Sequence, residues 1–599
     1  MELKIAFSNE ENMTKLILMS RLSAPVILKE RRHFELCWCM KEKAPRLVVP
    51  CGTNFGWLEG KPKKYGANAP HLRPIWHRGT NHMAQTTSAQ QIAQPGPETQ
   101  TQAGPAPPHP YILALDIGTS SVRALLFDSA GSAVPHVLAQ HSYTLTTSGE
   151  GEVSVDAGML VDLVARTIDE TLAAAGPLAS QIGVVATDTF WHSLMGVDAS
   201  GHPVMPLLTW EDTRPHSAAA ELRAQLDEAA IHARTGALLH ASYWPAKLRW
   251  LSTNQPQLFQ RTAQWLSFGE YLHRRLLGRS VCSLSMASGT GMLVTRNRTW
   301  DMHLQEVLGV RAEQLPPLGD LKDSVKGLKP EFASRWPTLR DVPWFPSIGD
   351  GAAANVGSGC ATAENWALTI GTSSAIRVII SPDSIVPSGG LWLYLLDARR
   401  GLLGGALSEG GNVLAWLEAT LKLPPLAEAD PLVATLPPDG HGLTVLPFIS
   451  GERSPGWHDE ARMAVTGLRS STSPADLLRA CLEALAYQLG AVYDQLNTTL
   501  EQQEIVPTLI GSGGAMLSSP VLQAIIAATL NTPIYPLLER EASARGAALL
   551  ALEALGIVPD VTRVPVELAA PVLPEEAHFS IYKQAAERQR RLYQLLLGR

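Results

Sequence analysis

A chain of 599 residues is longer than one hydrophobic core organises, so two or more domains of roughly 100–200 residues are expected. Its 45% hydrophobic and 18% charged residues are those of a soluble globular protein. No apolar run reaches the ~18 residues of a membrane helix, and a net charge of −7 gives no general reason to bind nucleic acid. Six cysteines, of which only Cys37 and Cys39 are close, exclude a disulfide scaffold and zinc-finger spacing, and point to reduced thiols and a cytoplasmic protein.

The charge is uneven. Residues 1–82 hold 14 Lys/Arg against 7 Glu and no Asp, a local +7 that leaves −14 on the rest. This stretch shows no sustained helical or strand period, and it lacks the order of a secretory signal. Residues 83–110 are rich in Gln, Thr, Ala and Pro, with Glu98 the only charge, and read as a linker too poor in apolar residues to build a core. Residues 1–110 are therefore expected to be a basic extension and linker, disordered or spurious. The extension either binds a partner or directs localisation, or it is translation upstream of a physiological start at Met83. The second reading is favoured.

Folded sequence begins at Tyr111. Ile117-Gly-Thr-Ser-Ser121 recurs 253 residues later as Ile370-Gly-Thr-Ser-Ser374. Each copy joins two apolar runs, Tyr111–Leu115 to Ala124–Phe127 and Ala367–Thr369 to Val378–Ile380, with Arg123 or Arg377 at the start of the second. A buried hairpin with a tight turn is expected at each. Gly118, Thr119 and Ser120 in one turn, with Gly371 and Thr372 in the other, offer N–H and hydroxyl groups as an anion nest. Two nests in equivalent settings point to related domains holding a polyphosphate between them. Neither the G-x-x-x-x-G-K-[ST] loop nor a G-x-G-x-x-G after a strand is present.

Between the hairpins, Trp191-His192-Ser193 follows the apolar run Ile182–Ala186, and Trp210-Glu-Asp212-Thr-Arg214 follows Val204–Thr209. Such clusters at strand ends are where open α/β sheets place ligands. Here they favour a polyol or sugar pocket, with Asp212 and Arg214 read alternatively as an ion pair. Asp350, in Gly349-Asp-Gly351, is a turn signal or a general base facing a substrate hydroxyl. Asp116, ending the first strand, is placed to help hold Mg2+. Further on, Ser473-Pro474 and Ser519-Pro520 read as helix starts, and Glu541–Leu550 as a helix packed through small residues.

These features together resemble the FGGY family of carbohydrate kinases, of the actin-like ATPase superfamily. The two Ile-Gly-Thr-Ser-Ser loops, Gly349–Gly351, GERSPGW at Gly451–Trp457 and GSGGAMLSS at Gly511–Ser519 carry the likeness over Tyr111–Arg599. Trp191–Arg214, Arg234–His240 and Leu368–Arg377 are most similar to the gluconate kinases of that family. The resemblance implies an α/β fold of two actin-like (ribonuclease H-like) ATPase domains, 111–357 and 358–599, closing on an interdomain catalytic cleft. It implies ATP and Mg2+ as cofactors, Asp350 as catalytic base and Asp116 as the metal-positioning residue. Ser120, Arg123, Gly371 and Thr372 would contact the phosphates, and Gly411, Gly513, Gly514 and Ser518 the adenosine. Trp191, His192, Trp210 and Asp212 match sugar-side positions. Met463 and Ala464 depart from the family pattern.

The expected reaction is ATP-dependent phosphorylation of a sugar acid, D-gluconate to 6-phospho-D-gluconate. A xylulokinase or another pentulose, hexulose or polyol kinase is the alternative within the family, and a catalytically silent sugar or nucleotide sensor the alternative outside it. A site dedicated to gluconate should present a cation or an N–H cluster to its carboxylate; Arg214 and Lys247 are candidate cations, and the sequence does not fix which, if either, reaches the pocket. The partners expected are the sugar and ATP, without nucleic acid or membrane. A homodimer is compatible with the sequence, which does not fix the oligomeric state.

Overall fold

The computed structural model describes residues 110–501 and 505–598 in full, and ahead of them the backbone of Ala6–Glu10, Met13–Leu18 and Val26–Leu28. The chain divides into two units, Met1–Thr101 and Gln102–Arg599. In the first, the three short segments pair as an antiparallel sheet. These strands lie in a stretch whose sequence shows no sustained strand period. The segments are three to six residues long, too short for alternation to show, although Leu16–Leu18 and Val26–Leu28 are aliphatic runs of strand-forming type. The linker reading of 83–110 and the Cys37/Cys39 pair lie outside the described residues.

The second unit is built on two sheets of like topology. The first comprises β1 (Tyr111–Ile117), β2 (Ser121–Phe127), β3 (Ala133–Ser142), β4 (Ile182–Thr189) and β5 (Ile348–Gly349), in the order β5-β4-β1-β2-β3. The β1–β2–β3 meander is antiparallel, while β4 and β5 add in parallel. The second comprises β6 (Asn365–Ile370), β7 (Ser374–Ile380), β8 (Trp392–Leu395), β9 (Gly401–Leu407), β10 (Thr508–Ser512) and β11 (Ile534–Pro536), in the order β8-β9-β7-β6-β10-β11. It repeats the plan: antiparallel β6, β7 and β9, then parallel β10 and β11. Both expected hairpins are present, and each Gly-Thr-Ser turn closes the first hairpin of its sheet.

The central strands are buried on both faces, and so read as continuous apolar runs. Helix α1 (Ala157–Ala175), capped by Asp156 on the Met159 N–H at 2.7 Å, covers one face of the first sheet. The other face is covered by α8 (Ala542–Ala554), which comes from the C-terminal half of the chain. Between them in sequence lie α2 (Leu284–Gly289), α3 (Asp350–Gly357), α4 (Gly411–Leu421), α5 (Pro474–Leu500), α6 (Gly514–Ser518) and α7 (Pro520–Leu530). The two proline-marked starts are as expected: Ser473 caps α5 through Asp476 N–H, and Ser519 caps α7 through Leu522 N–H.

Helices α3 and α8 meet through Gly357 and Gly546. A Cβ on Gly546 would lie 1.8 Å from the Ala353 carbonyl oxygen, so only hydrogen allows this approach. The contact ties the helix that begins at Asp350 to the C-terminal half. Among the described residues, no helix is long and apolar enough to cross a membrane.

Candidate active site

A cavity of about 270 Å3 opens where the C-terminal ends of the parallel strands face the second Gly-Thr-Ser loop. Thr119, Trp191, His192, Trp210 and Asp350 line it from one side, with Gly371 and Thr372 on the other. Residues as far apart in the chain as Thr119 and Thr372 are thus brought to one place.

Asp350 is the first residue of α3, and its Oδ1 accepts the Gly351 N–H at 2.7 Å. Burial raises its pKa to about 6, a shift moderated by the Gly351 hydrogen bond and the Arg377 charge and reinforced by Asp116. Arg377, the arginine after the second loop, donates to Asn355 Oδ1 at 3.1 Å and Thr369 Oγ1 at 2.9 Å, which fixes its guanidinium on the cavity wall.

The wall around Trp191 is aromatic. Trp191 donates to the Ser285 carbonyl at 3.0 Å and lies so close to Gly349 that a Cβ there would sit 1.8 Å from the indole. His192 Nδ1 is hydrogen-bonded to the Gly289 carbonyl, and burial lowers its pKa to about 3. The ring is therefore neutral with its proton on Nδ1, leaving Nε2 as an acceptor. Tyr243 and Tyr394 share a hydroxyl–hydroxyl hydrogen bond, and Trp392 stacks on Tyr394 with centroids 4.2 Å apart.

Three sequence candidates stand away from this wall. Asp212 is buried and is gripped by Arg214 through both oxygens, the ion-pair alternative. Arg214 also pairs with Glu152 at 3.2 Å and lies over Trp250. Lys247 is buried with its Nζ donating to the carbonyls of His192 and Thr209, and burial lowers its pKa to about 7. It ties two segments together behind the cavity. Instead, Arg453 of GERSPGW reaches the wall, its guanidinium 4.5 Å from the Trp210 ring centroid and one Nη donating to the Leu407 carbonyl.

In the first Gly-Thr-Ser turn, Gly118 N–H closes onto Ser121 O, and Tyr143 Oη donates to the Gly118 carbonyl at 2.6 Å. Ser120 is exposed beside it. Arg123 is 3.3 Å from both Asp116 and Glu541, the residue before α8. Burial raises the Asp116 pKa, which Arg123 opposes. Gly411 and Asn412, at the start of α4, donate N–H groups to the Gly371 and Thr372 carbonyls. Gly513 has φ +94°, and a Cβ there would lie 2.4 Å from the Ile370 carbonyl oxygen. Gly514 and Ser518 follow in α6, with Ser518 exposed. Gly411 and Gly513 thus pack against the second loop, and none of Gly411, Gly513, Gly514 and Ser518 lines the 270 Å3 cavity itself.

Two like sheets with Gly-Thr-Ser turns at matching positions and a cavity between them define a two-domain actin-like ATPase fold. The FGGY carbohydrate kinase N-terminal domain matches residues 111–357 and the C-terminal domain matches 366–555, so the chain belongs to the FGGY family of carbohydrate kinases. A gluconokinase of Bacillus subtilis (strain 168) is 25% identical, covering 74% of this chain and 88% of that protein. A glycerol kinase of Polaromonas naphthalenivorans (strain CJ2) is 30% identical, covering 74% and 90%. The crystal structure of gluconate kinase from Lactobacillus acidophilus superposes with a TM-score of 0.73 at 25% identity, covering 81% of this chain and 98% of that one.

Proposed function

We propose that the chain transfers the γ-phosphoryl group of ATP to the terminal hydroxyl of a sugar acid, D-gluconate giving 6-phospho-D-gluconate. The observation that carries the sugar-acid reading is Arg453. It is a cavity-lining cation with no carboxylate within ion-pair distance among the described residues, and its Nε is buried without a hydrogen-bond partner. Burial lowers its pKa by disfavouring the bare charge, a cost that a substrate carboxylate would offset. The gluconokinase and gluconate kinase among the relatives accord with this reading.

The chain's own residues divide the work. Aromatic faces of Trp191 and Trp210 bound the sugar, and His192 Nε2 accepts from a hydroxyl. Asp350, with Oδ1 held by Gly351, offers Oδ2 to the reacting hydroxyl and takes its proton as the oxygen attacks. N–H and hydroxyl groups of the two loops, with Arg123, meet the polyphosphate. The glycines at 411, 513 and 514 leave room for the nucleoside. Asp116 presents hard carboxylate oxygens that suit Mg2+, with Arg123 engaging Oδ2 alone. Mg2+, when bound, neutralises charge on the phosphates. The buried and unpaired Cys282, Cys360 and Cys481 suit a reducing, cytoplasmic setting.

Incubation of the full-length protein with gluconate and Mg·ATP tests this reading, with the product followed by 31P NMR. A phosphomonoester coupled to the C6 protons is expected, and its absence contradicts the proposal. The Arg453→Gln variant is expected to raise KM for gluconate about 30-fold or more, with little change for an uncharged sugar, because a charge-assisted pair is lost. Equal effects on both sugars would assign Arg453 to the wall rather than to the carboxylate.

A further inference from the structure

A third carboxylate stands beside Asp116 and Asp350, and the mechanism above makes no use of it. Asp188 lies one residue before the end of β4. Its register partner on β1 is Asp116, and on β5 it is Ile348, two residues before Asp350. Three neighbouring parallel strands therefore deliver three carboxylates to one end of the sheet, next to the phosphate loops.

The three differ in how their charge is met. Asp116 has Arg123, and Asp350 has the Gly351 N–H and the nearby charge of Arg377. Asp188 is 0% exposed, and neither of its oxygens has a hydrogen-bond donor or an ion-pair partner among the described residues. Its carboxyl lies within hydrogen-bonding reach of that of Asp116. Arg123 Nη1 contacts Asp116 and Glu541, and the guanidinium makes no hydrogen bond or ion pair to Asp188, whose burial its nearby charge only partly offsets. A fully buried carboxylate facing two others is sustained only if a proton or a cation joins them. Asp116 stands two residues before Gly118 of the first turn, where the proposed reaction brings a polyphosphate, and hard oxygens in a set of one or two carboxylates suit a divalent cation that also contacts phosphates.

We infer that Asp188 supplies the second carboxylate of the divalent-cation site, holding the ion jointly with Asp116. Asp188 thereby fixes the cation on the sheet end, at the strand adjoining the one that leads to Asp350. The inference rests on the phosphotransfer reading only for what the cation does, and its test uses neither sugar nor turnover.

Metal-stripped full-length protein is titrated with Mn2+, and the free ion is read by electron paramagnetic resonance. Asp188→Asn and Asp116→Asn are each expected to weaken Mn2+ binding at least tenfold, while ATP binding in EDTA stays within about twofold of wild type. Asparagine keeps the shape of the side chain and can still donate a hydrogen bond to Asp116. Unchanged Mn2+ affinity in Asp188→Asn, beside a loss in Asp116→Asn, would therefore overturn the inference and make Asp188 a protonated partner of Asp116. A second measurement does not depend on that variant folding. In Asp350→Asn protein labelled with 13C-carboxyl aspartate, electron–nuclear double resonance of bound Mn2+ should show two coupled carboxylates. One alone would also overturn the assignment.

Discussion

Asp350→Asn is expected to lower kcat by about 10^2–10^4-fold, the usual contribution of a positioned general base, while ATP affinity changes less than about threefold. Asparagine fits the same space, and its side-chain oxygen can still accept the Gly351 N–H that Asp350 Oδ1 accepts now. It cannot take a proton from the sugar hydroxyl. The pH profile gives a second readout. Burial raises the Asp350 pKa to about 6, and a base works only when deprotonated, so activity falls as pH drops through about 6. That acidic limb should disappear in the residual activity of Asp350→Asn. Near-normal turnover in the variant, or a limb that persists unchanged, would remove Asp350 from the role of base.

Gly546→Val is expected to produce the largest loss of stability, about 3 kcal/mol, with kcat falling beside it. The added side chain has no room to rotate away. Its Cβ would start 1.8 Å from the Ala353 carbonyl oxygen and 2.9 Å from the Gly357 nitrogen, and both are backbone atoms. Helices α3 and α8 must then separate, and α3 carries Asp350 at its first residue. Packed interiors resist such a shift because displaced atoms lose their contacts on one side. Gly149→Val is the matched control, since nothing lies within 4 Å of a Cβ there. Thermal melts that fall for position 546 and hold for position 149 are the predicted pair. Equal melts would show that the helix crossing tolerates the added side chain.

What the sequence made legible was local. Each Gly-Thr-Ser turn sits between its own two strands, so both hairpins could be read from apolar runs and one turn. Ser473-Pro474 and Ser519-Pro520 announce their helices by capping chemistry contained within four residues. Residues set by tertiary approach were less legible. Arg453 lies inside a quoted motif, yet its importance comes from meeting Trp210, 243 residues upstream. Tyr243 and Tyr394 join only when the two halves fold together. Asp188 sits just past an apolar run that ended, on sequence, at Ala186, and its register with Asp116 is a property of the sheet. The same holds for the candidate cations. Arg214 and Lys247 carry the right charge for a carboxylate, but a cation held within the fold first satisfies its nearest acceptors. These are Asp212 and Glu152 for Arg214, and two carbonyls for Lys247. The N-terminal strands escaped notice because three to six residues are too few to establish a period.

The most direct test of the central claim is ADP release by the purified full-length protein with Mg·ATP, compared across gluconate, xylulose, glycerol, ribulose and a sugar-free blank. The account predicts strong turnover on gluconate, weak turnover on the uncharged acceptors and little in the blank. Turnover on an uncharged sugar with none on gluconate would contradict the role given to Arg453 while preserving that of Asp350. Silence on all four acceptors, with ATP still bound, would contradict phosphotransfer to this class of substrate.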